Sequence, residues 1–206
     1  ITPPELASSP GVFRRTDDTS RFRPVGSMVF TSEETLAAEA RLLERSRTIT
    51  APTVQVKVIE KIARRPDREG RLLGEDQAAA LAKIAVSGRV VDVLVGPAGA
   101  GKTTAMSALR VAWEREHGRG SVIGLAPSAV AAQVLSDDLG IRAENTAKWR
   151  QTHQETGATF RTDQLVIVDE ASLAGTLSLD RITAHAVDVG AKVLLVGDWA
   201  QLQSVT

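Results

Sequence analysis

Apolar positions recur along this chain at two spacings, and the change from one to the other divides it. Thr31-Ser32-Glu33-Glu34 has the S/T-x-x-E form in which a hydroxyl and a carboxylate satisfy the first free N–H groups of a helix. Leu36, Ala40 and Leu43 follow at helical spacing, so a helix to about Arg45 is predicted. A second helix is predicted over Thr53–Ala63, with Val54, Val58 and Ile62 on one face. The charged turn from Arg64 to Gly70 marks a boundary between a linker and helical segment, 1–70, and a second region, 71–206.

Beyond that turn, short apolar runs alternate with helical patterns. Glu75 and Asp76 open a helix with Ala78, Leu81, Ala82 and Ala85 on its apolar face, stopped by Gly88. Val90–Val95 is nearly continuous in apolar residues, as expected of a strand buried on both faces. A helix beginning near Lys102 carries Ala105, Met106, Leu109, Ala112 and Trp113 on one side. Strands are predicted at Val122–Leu125, Leu165–Val168 and Val193–Val196, with helices at Ala129–Leu139 and through Leu179, Ile182, Ala186 and Val189. Repeated strand–helix–strand units imply an α/β fold, a parallel sheet with helices on both faces. Trp113, Trp149 and Trp199 read as packing residues.

Composition narrows the partners. Of 206 residues, 43% are hydrophobic and 24% charged, as in ordinary globular domains, and no apolar run is long enough to span a membrane. Cysteine is absent, which excludes disulfides and thiolate metal sites and fits a cytoplasmic protein. Net charge is zero and aromatic residues make up 3%, so any grip on nucleic acid is local rather than a broad basic or stacking surface. Residues 1–30 mix four prolines with Arg14, Arg15, Arg21 and Arg23, which reads as a solvated entry loop rather than a phosphate-binding arm. A start at Ile1 and an end at Thr206 suggest a piece of a longer protein, and it is expected to be monomeric.

Three motifs carry chemistry. Gly96-Pro97-Ala98-Gly99-Ala100-Gly101-Lys102-Thr103 matches G-x-x-x-x-G-K-[ST] between a strand pattern and a helix pattern. Its glycines let successive N–H groups face phosphate oxygens, and the helix start adds the positive end of its dipole. Lys102 suits the β/γ-phosphates, the Thr103 hydroxyl suits Mg²⁺, and Thr104 completes the nucleotide-binding set. Asp169-Glu170 follows the strand Leu165–Val168, where a carboxylate lies at the ligand-binding end of a parallel sheet. Asp169 is expected to hold Mg²⁺ through water, and Glu170 to act as general base on an attacking water. After the last strand come Gly197-Asp198-Trp199-Ala200-Gln201-Leu202. There Gln201 is placed to reach a γ-phosphate, and Asp198 is either a supporting partner or a turn residue.

Taken together, these motifs resemble the superfamily 1 helicases of the RecD-like branch (superfamily 1B), most of all the helicase portion of MobF-type conjugative relaxases of actinobacteria. The resemblance covers about 71–206, and weakly Phe30-Thr31 and Glu39–Leu43 upstream. It implies a RecA-like P-loop NTPase core, and a second RecA-like domain, carrying transition-state arginines, outside this sequence. It also implies that Gln77 reads adenine, that Pro127 and Ser128 touch a single-strand DNA backbone, and that Thr146 lies in a further strand-contacting motif. Capping or loop roles are the alternatives for these last residues.

The expected function is therefore the ATP-binding lobe of an ATP-dependent single-strand DNA translocase or helicase, using ATP and Mg²⁺. A GTPase would carry an N/T-K-x-D motif, which is absent, and nothing suggests the lid of a nucleotide kinase. A nucleotide-gated scaffold without catalysis is the remaining rival, and Glu170 argues against it, because a pure switch needs no base.

Overall fold

The computed structural model describes residues 10–16, 21, 31–66, 70, 72–97, 99–157 and 160–198. The chain divides into two compact units, Ile1–Ala37 and Ala38–Thr206. In the first, a 3-10 turn spans Gly11–Phe13 and Arg21 N–H donates to the Phe13 carbonyl at 2.7 Å. Ser32 Oγ accepts from Thr35 N–H at 3.1 Å, capping the helix α1 (Glu33–Arg47), which crosses the division.

The second unit holds α2 (Val56–Ala63), α3 (Glu75–Val86), β1 (Val91–Val95), α4 (Lys102–His117), β2 (Val122–Ala126) and α5 (Ala129–Leu139). There follow β3 (Arg142–Asn145), α6 (Thr146–Thr156), β4 (Leu165–Val168), a 3-10 turn at Ala171–Leu173, α7 (Thr176–Val189) and β5 (Lys192–Gly197). The five described strands pair in parallel, in the order β1-β5-β4-β2-β3.

Two apolar layers sandwich this sheet, as its period-two alternation requires. On one side Ile59, Ile62, Leu81, Met106, Leu109, Trp113 and Leu135 pack over Val122, Leu165, Ile167, Leu194 and Val196. On the other, Trp149, Phe160, Ile182 and Ala186 cover Leu125, Val166, Val168 and Val193. Trp113 is fully buried, and its Nε1–H donates to the Asp163 carbonyl at 2.9 Å, so the packing role expected of it holds. Trp149 is also buried; Trp199 lies outside the described residues.

Gly124 sets how closely α5 lies on β2. A Cβ there would stand 2.6 Å from Leu135 Cδ2 and 2.9 Å from Ala143 Cβ. At the other end of the sheet, the fully buried Lys192 ammonium donates to Ser87 Oγ (2.9 Å) and the Arg89 carbonyl (2.8 Å) and pairs with Asp92 (2.7 Å). Burial pushes this amine below its ordinary value, because the charged form loses water that three partners only partly replace. On α7, Asp180 takes two arginines of α1: Arg41 Nη2 at 2.7 Å and Arg45 Nη1 at 2.5 Å. Hydrogen bonding from Arg41, with Arg45 adding to it, holds the Asp180 carboxyl below the ordinary carboxylate value.

Several sequence expectations need correction. β1 is not buried on both faces: Val93 is 58% and Val95 53% exposed, because the strand is an outer one among the described strands and pairs only with β5. The second helix begins at Val56 rather than Thr53, since the segment before it is extended and Val54 N–H bonds the Ala85 carbonyl at 2.9 Å. Neither the strand β3 nor the helix α6 was predicted. Among the described residues no helix is long and apolar enough to cross a membrane.

Candidate nucleotide-binding site

Because the described strands all run the same way, their C-terminal tips lie along one edge of the sheet, and the helices that follow β1, β2 and β3 start there. That edge gathers the predicted residues. β1 leads into the loop Gly96–Gly101, β4 into Asp169-Glu170, and β5, which separates them, into Gly197-Asp198. Gly96 N–H reaches across to the Gly197 carbonyl at 3.4 Å, tying the loop's base to the central tip.

The loop adopts a conformation that its glycines permit. Gly99 (φ +78°) and Gly101 (φ +73°) are left-handed, and Ala100 N–H closes a turn on the Pro97 carbonyl at 3.2 Å. α4 starts at Lys102, after the loop at the tip of β1, so its first N–H groups have no intrahelical acceptor. Lys102 Nζ donates to the Gly96 and Pro97 carbonyls, the latter at 2.9 Å. Thr103 is exposed and Thr104 half-buried in the first turn of α4; Ala98 lies outside the described residues.

Across β5, Asp169 N–H bonds the Leu125 carbonyl at 2.9 Å, which fixes the end of β4 against β2. Asp169 Oδ1 accepts from Glu170 N–H at 3.0 Å. Burial raises the Asp169 carboxyl above its ordinary value; the Glu170 N–H and the Lys102 charge offset this in part, and Asp138 adds to it. A carboxyl so placed favours a cation that would restore its solvation. Glu170 is a non-glycine residue at φ +49°, heading the 3-10 turn, and its carbonyl accepts from Leu173 N–H at 2.9 Å. Such backbone costs about 1–2 kcal/mol for an L-residue and recurs at functional sites. Sequence reasoning had no signal for it.

The remaining predictions fall along the same edge, except Gln201, which lies outside the described residues. Ser128 caps α5, its Oγ accepting from Ala131 N–H at 3.1 Å, and it retains its own O–H to donate. Pro127 precedes it and is half-buried. Thr146 is the first residue of α6, capped by Asn145 Oδ1 on Lys148 N–H at 2.7 Å. The Gln77 side chain bridges α3 and the loop: Oε1 accepts from Gly74 N–H at 3.0 Å and Nε2 donates to the Gly101 carbonyl at 3.4 Å. Asp198 is 8% exposed.

A glycine-rich loop opening a helix at one strand tip, and an acidic pair at the tip two strands over, together define a P-loop nucleotide-binding domain on a parallel sheet. The chain belongs to the AAA domain family, whose profile matches residues 72–206. It is 35% identical over 175 residues to the conjugal transfer protein TraA of Rhizobium radiobacter, covering 84% of this chain and 15% of that protein. It is 31% identical over 179 residues to the probable conjugal transfer protein TraA of Sinorhizobium fredii (85% and 16%). The RecD subunit of the RecBCD enzyme of Mycobacterium tuberculosis is 33% identical over 158 residues (64% and 27%). The chain thus spans about one sixth of the length of the TraA relatives. Among solved structures, the UvsW helicase of bacteriophage T4 superposes with a TM-score of 0.56 at 14% identity, over 72% of this chain and 62% of that one, and shows the RecA-like fold. The likeness to RecD-like and conjugative-transfer proteins read from the motifs is borne out by relatives of both kinds.

Proposed function

We propose that this domain is the ATP-binding lobe of an ATP-dependent single-strand DNA translocase or helicase within a conjugative relaxase-helicase. The observation that carries the reading is the loop Gly96–Thr103 and the pair Asp169-Glu170 flanking the tip of β5. The left-handed glycines and the free N–H groups of α4 fit a triphosphate, and Lys102 exchanges its two loop carbonyls for phosphate oxygens. Thr103 and Asp169 would hold Mg²⁺, which when bound neutralises charge on the phosphates. In the reaction a water attacks the γ-phosphorus in line, the bond to the β-phosphate oxygen breaks, and Glu170 takes the water's proton. ADP and phosphate are the products.

Ser128 and Thr146 lie at the tips of β2 and β3, beside the starts of α5 and α6. That row of helix starts and donor hydroxyls suits a phosphate backbone lying along the edge, and we assign the single strand to it. A second RecA-like lobe, to which the resemblance points, would supply arginines to the γ-phosphate.

DNA-stimulated ATP turnover of the full-length protein is the test. Glu170→Gln should bind ATP as before and hydrolyse it about 10²–10⁴-fold more slowly, whereas Lys102→Ala should lose binding. Normal turnover in the Glu170 variant would give the base to another residue. A wild-type protein that binds ATP but never hydrolyses it would instead be a nucleotide-gated scaffold.

A further inference from the structure

We infer that Gln77 is a positioning residue for the phosphate loop: its side-chain amide holds the left-handed Gly101 peptide from which Lys102 and Thr103 project. The inference rests on the nucleotide-site reading above and adds to Gln77 a role that does not involve the base.

The geometry begins at the start of α3. Gln77 is the third residue of that helix, and its Oε1 caps the Gly74 N–H at 3.0 Å. A carboxamide presents acceptors at one end and donors at the other. With the oxygen committed to Gly74, the NH₂ end is aimed at Gly101, whose carbonyl it meets at 3.4 Å. Turning the amide over would set the NH₂ against an N–H and the oxygen against a carbonyl, so the two backbone groups dictate this orientation. The base of the side chain is rigid, because Leu81 and Ala85 of α3 share one core with Met106 and Leu109 of α4.

At 3.4 Å this contact is long, and its weight comes from the place where it acts. Gly101 has φ +73° and immediately precedes the residue whose ammonium serves the phosphates. A Cβ at Gly101 would lie 2.0 Å from Gln77 Nε2, so the amide fills the space that a side chain would occupy. Glycine is therefore required twice, by its backbone angle and by the approach of Gln77. Gly101 also closes the first turn of α4, its carbonyl accepting from Ala105 N–H at 3.1 Å. One side-chain contact thus bears on the residue where loop becomes helix. Each end of the amide uses one of its two hydrogen-bonding sites here, which leaves one donor and one acceptor for a base edge.

A ligand without a base separates this role from base reading. The 206-residue chain and its Gln77→Met variant, which keeps side-chain length but makes neither hydrogen bond, are titrated calorimetrically with Mg²⁺–ATP and with Mg²⁺–tripolyphosphate. We expect the variant to bind tripolyphosphate about three- to tenfold more weakly, the effect of one net hydrogen bond, and ATP at least that much more weakly. Binding stoichiometry should match wild type, whereas partial unfolding would lower the number of sites rather than their affinity. Unchanged tripolyphosphate affinity in the variant would overturn the inference, leaving Gln77 as a base reader if ATP weakens and as a helix cap if it does not. Failure of the wild type to bind either ligand would overturn the nucleotide site, and this inference with it.

Discussion

Replacing Glu170 by glycine should leave the domain more stable than replacing it by alanine, with the same loss of activity in both. Glu170 holds φ +49°, while its N–H and carbonyl are engaged by Asp169 and Leu173, so the turn cannot relax without losing both bonds. Alanine keeps the Cβ and the cost of the left-handed backbone, about 1–2 kcal/mol. Glycine removes that cost but loses about 0.4–1 kcal/mol through its freer unfolded chain. The difference favours glycine over alanine by roughly 0.5–1 kcal/mol, about 1–4 °C in melting temperature for a domain of this size. At a position with ordinary φ the order would be reversed. Urea unfolding of the two nucleotide-free variants, followed by Trp fluorescence, measures it, and comparing them with each other cancels the loss of the carboxylate. In the full-length protein both should lose ATP hydrolysis. A glycine variant less stable than the alanine variant would show that the left-handed turn is not enforced and that Glu170 carries no backbone strain.

Two further predictions concern the scaffold. Gly124→Ala should destabilise the domain by about 1–3 kcal/mol, because the added methyl meets Leu135 and Ala143 well inside van der Waals distance; a urea midpoint indistinguishable from wild type would mean that α5 shifts freely on β2. Asp180, whose carboxyl is held below its ordinary value near 3.8, should contribute stability that is fully present above that value and lost as pH falls through its lower folded value. Urea midpoints measured between about pH 5 and pH 2 should therefore fall more steeply in wild type than in Asp180→Asn, and equal slopes would refute the role of the arginine clamp.

Features confined to one stretch of chain were legible in the sequence. Gly96–Thr103 carries its own pattern, Leu165–Val168 is apolar throughout, and Ala129–Leu139 falls between a serine cap and a glycine stop, so motif, strand and helix could be read directly. Features set by neighbours were not. Arg142-Ala143-Glu144-Asn145 is a strand because β2 and α5 lie beside it, and α6 buries Trp149 but little else, so neither shows an apolar rhythm. Val93 and Val95 look like core residues until the order of the sheet places β1 on the outside. The contact between Gln77 and Gly101 spans 24 residues, and no local pattern announces it.

The order of strands in space also bears on how the domain is made. Along the chain the phosphate loop comes first, the acidic pair second and β5 last; across the sheet β5 stands between the other two. Among the described strands β1 has no partner except β5. During synthesis, then, the loop strand waits unpaired for about a hundred residues, until Lys192–Gly197 arrives to join it to β4. Such pairing is long-range and closes late, and in parallel sheets it is slow. The segment that brings loop and acidic pair into register is made after both of them. A nascent chain released before β5 would expose Val91, Val93 and Val95 along an open strand, which is the kind of edge that other chains pair with.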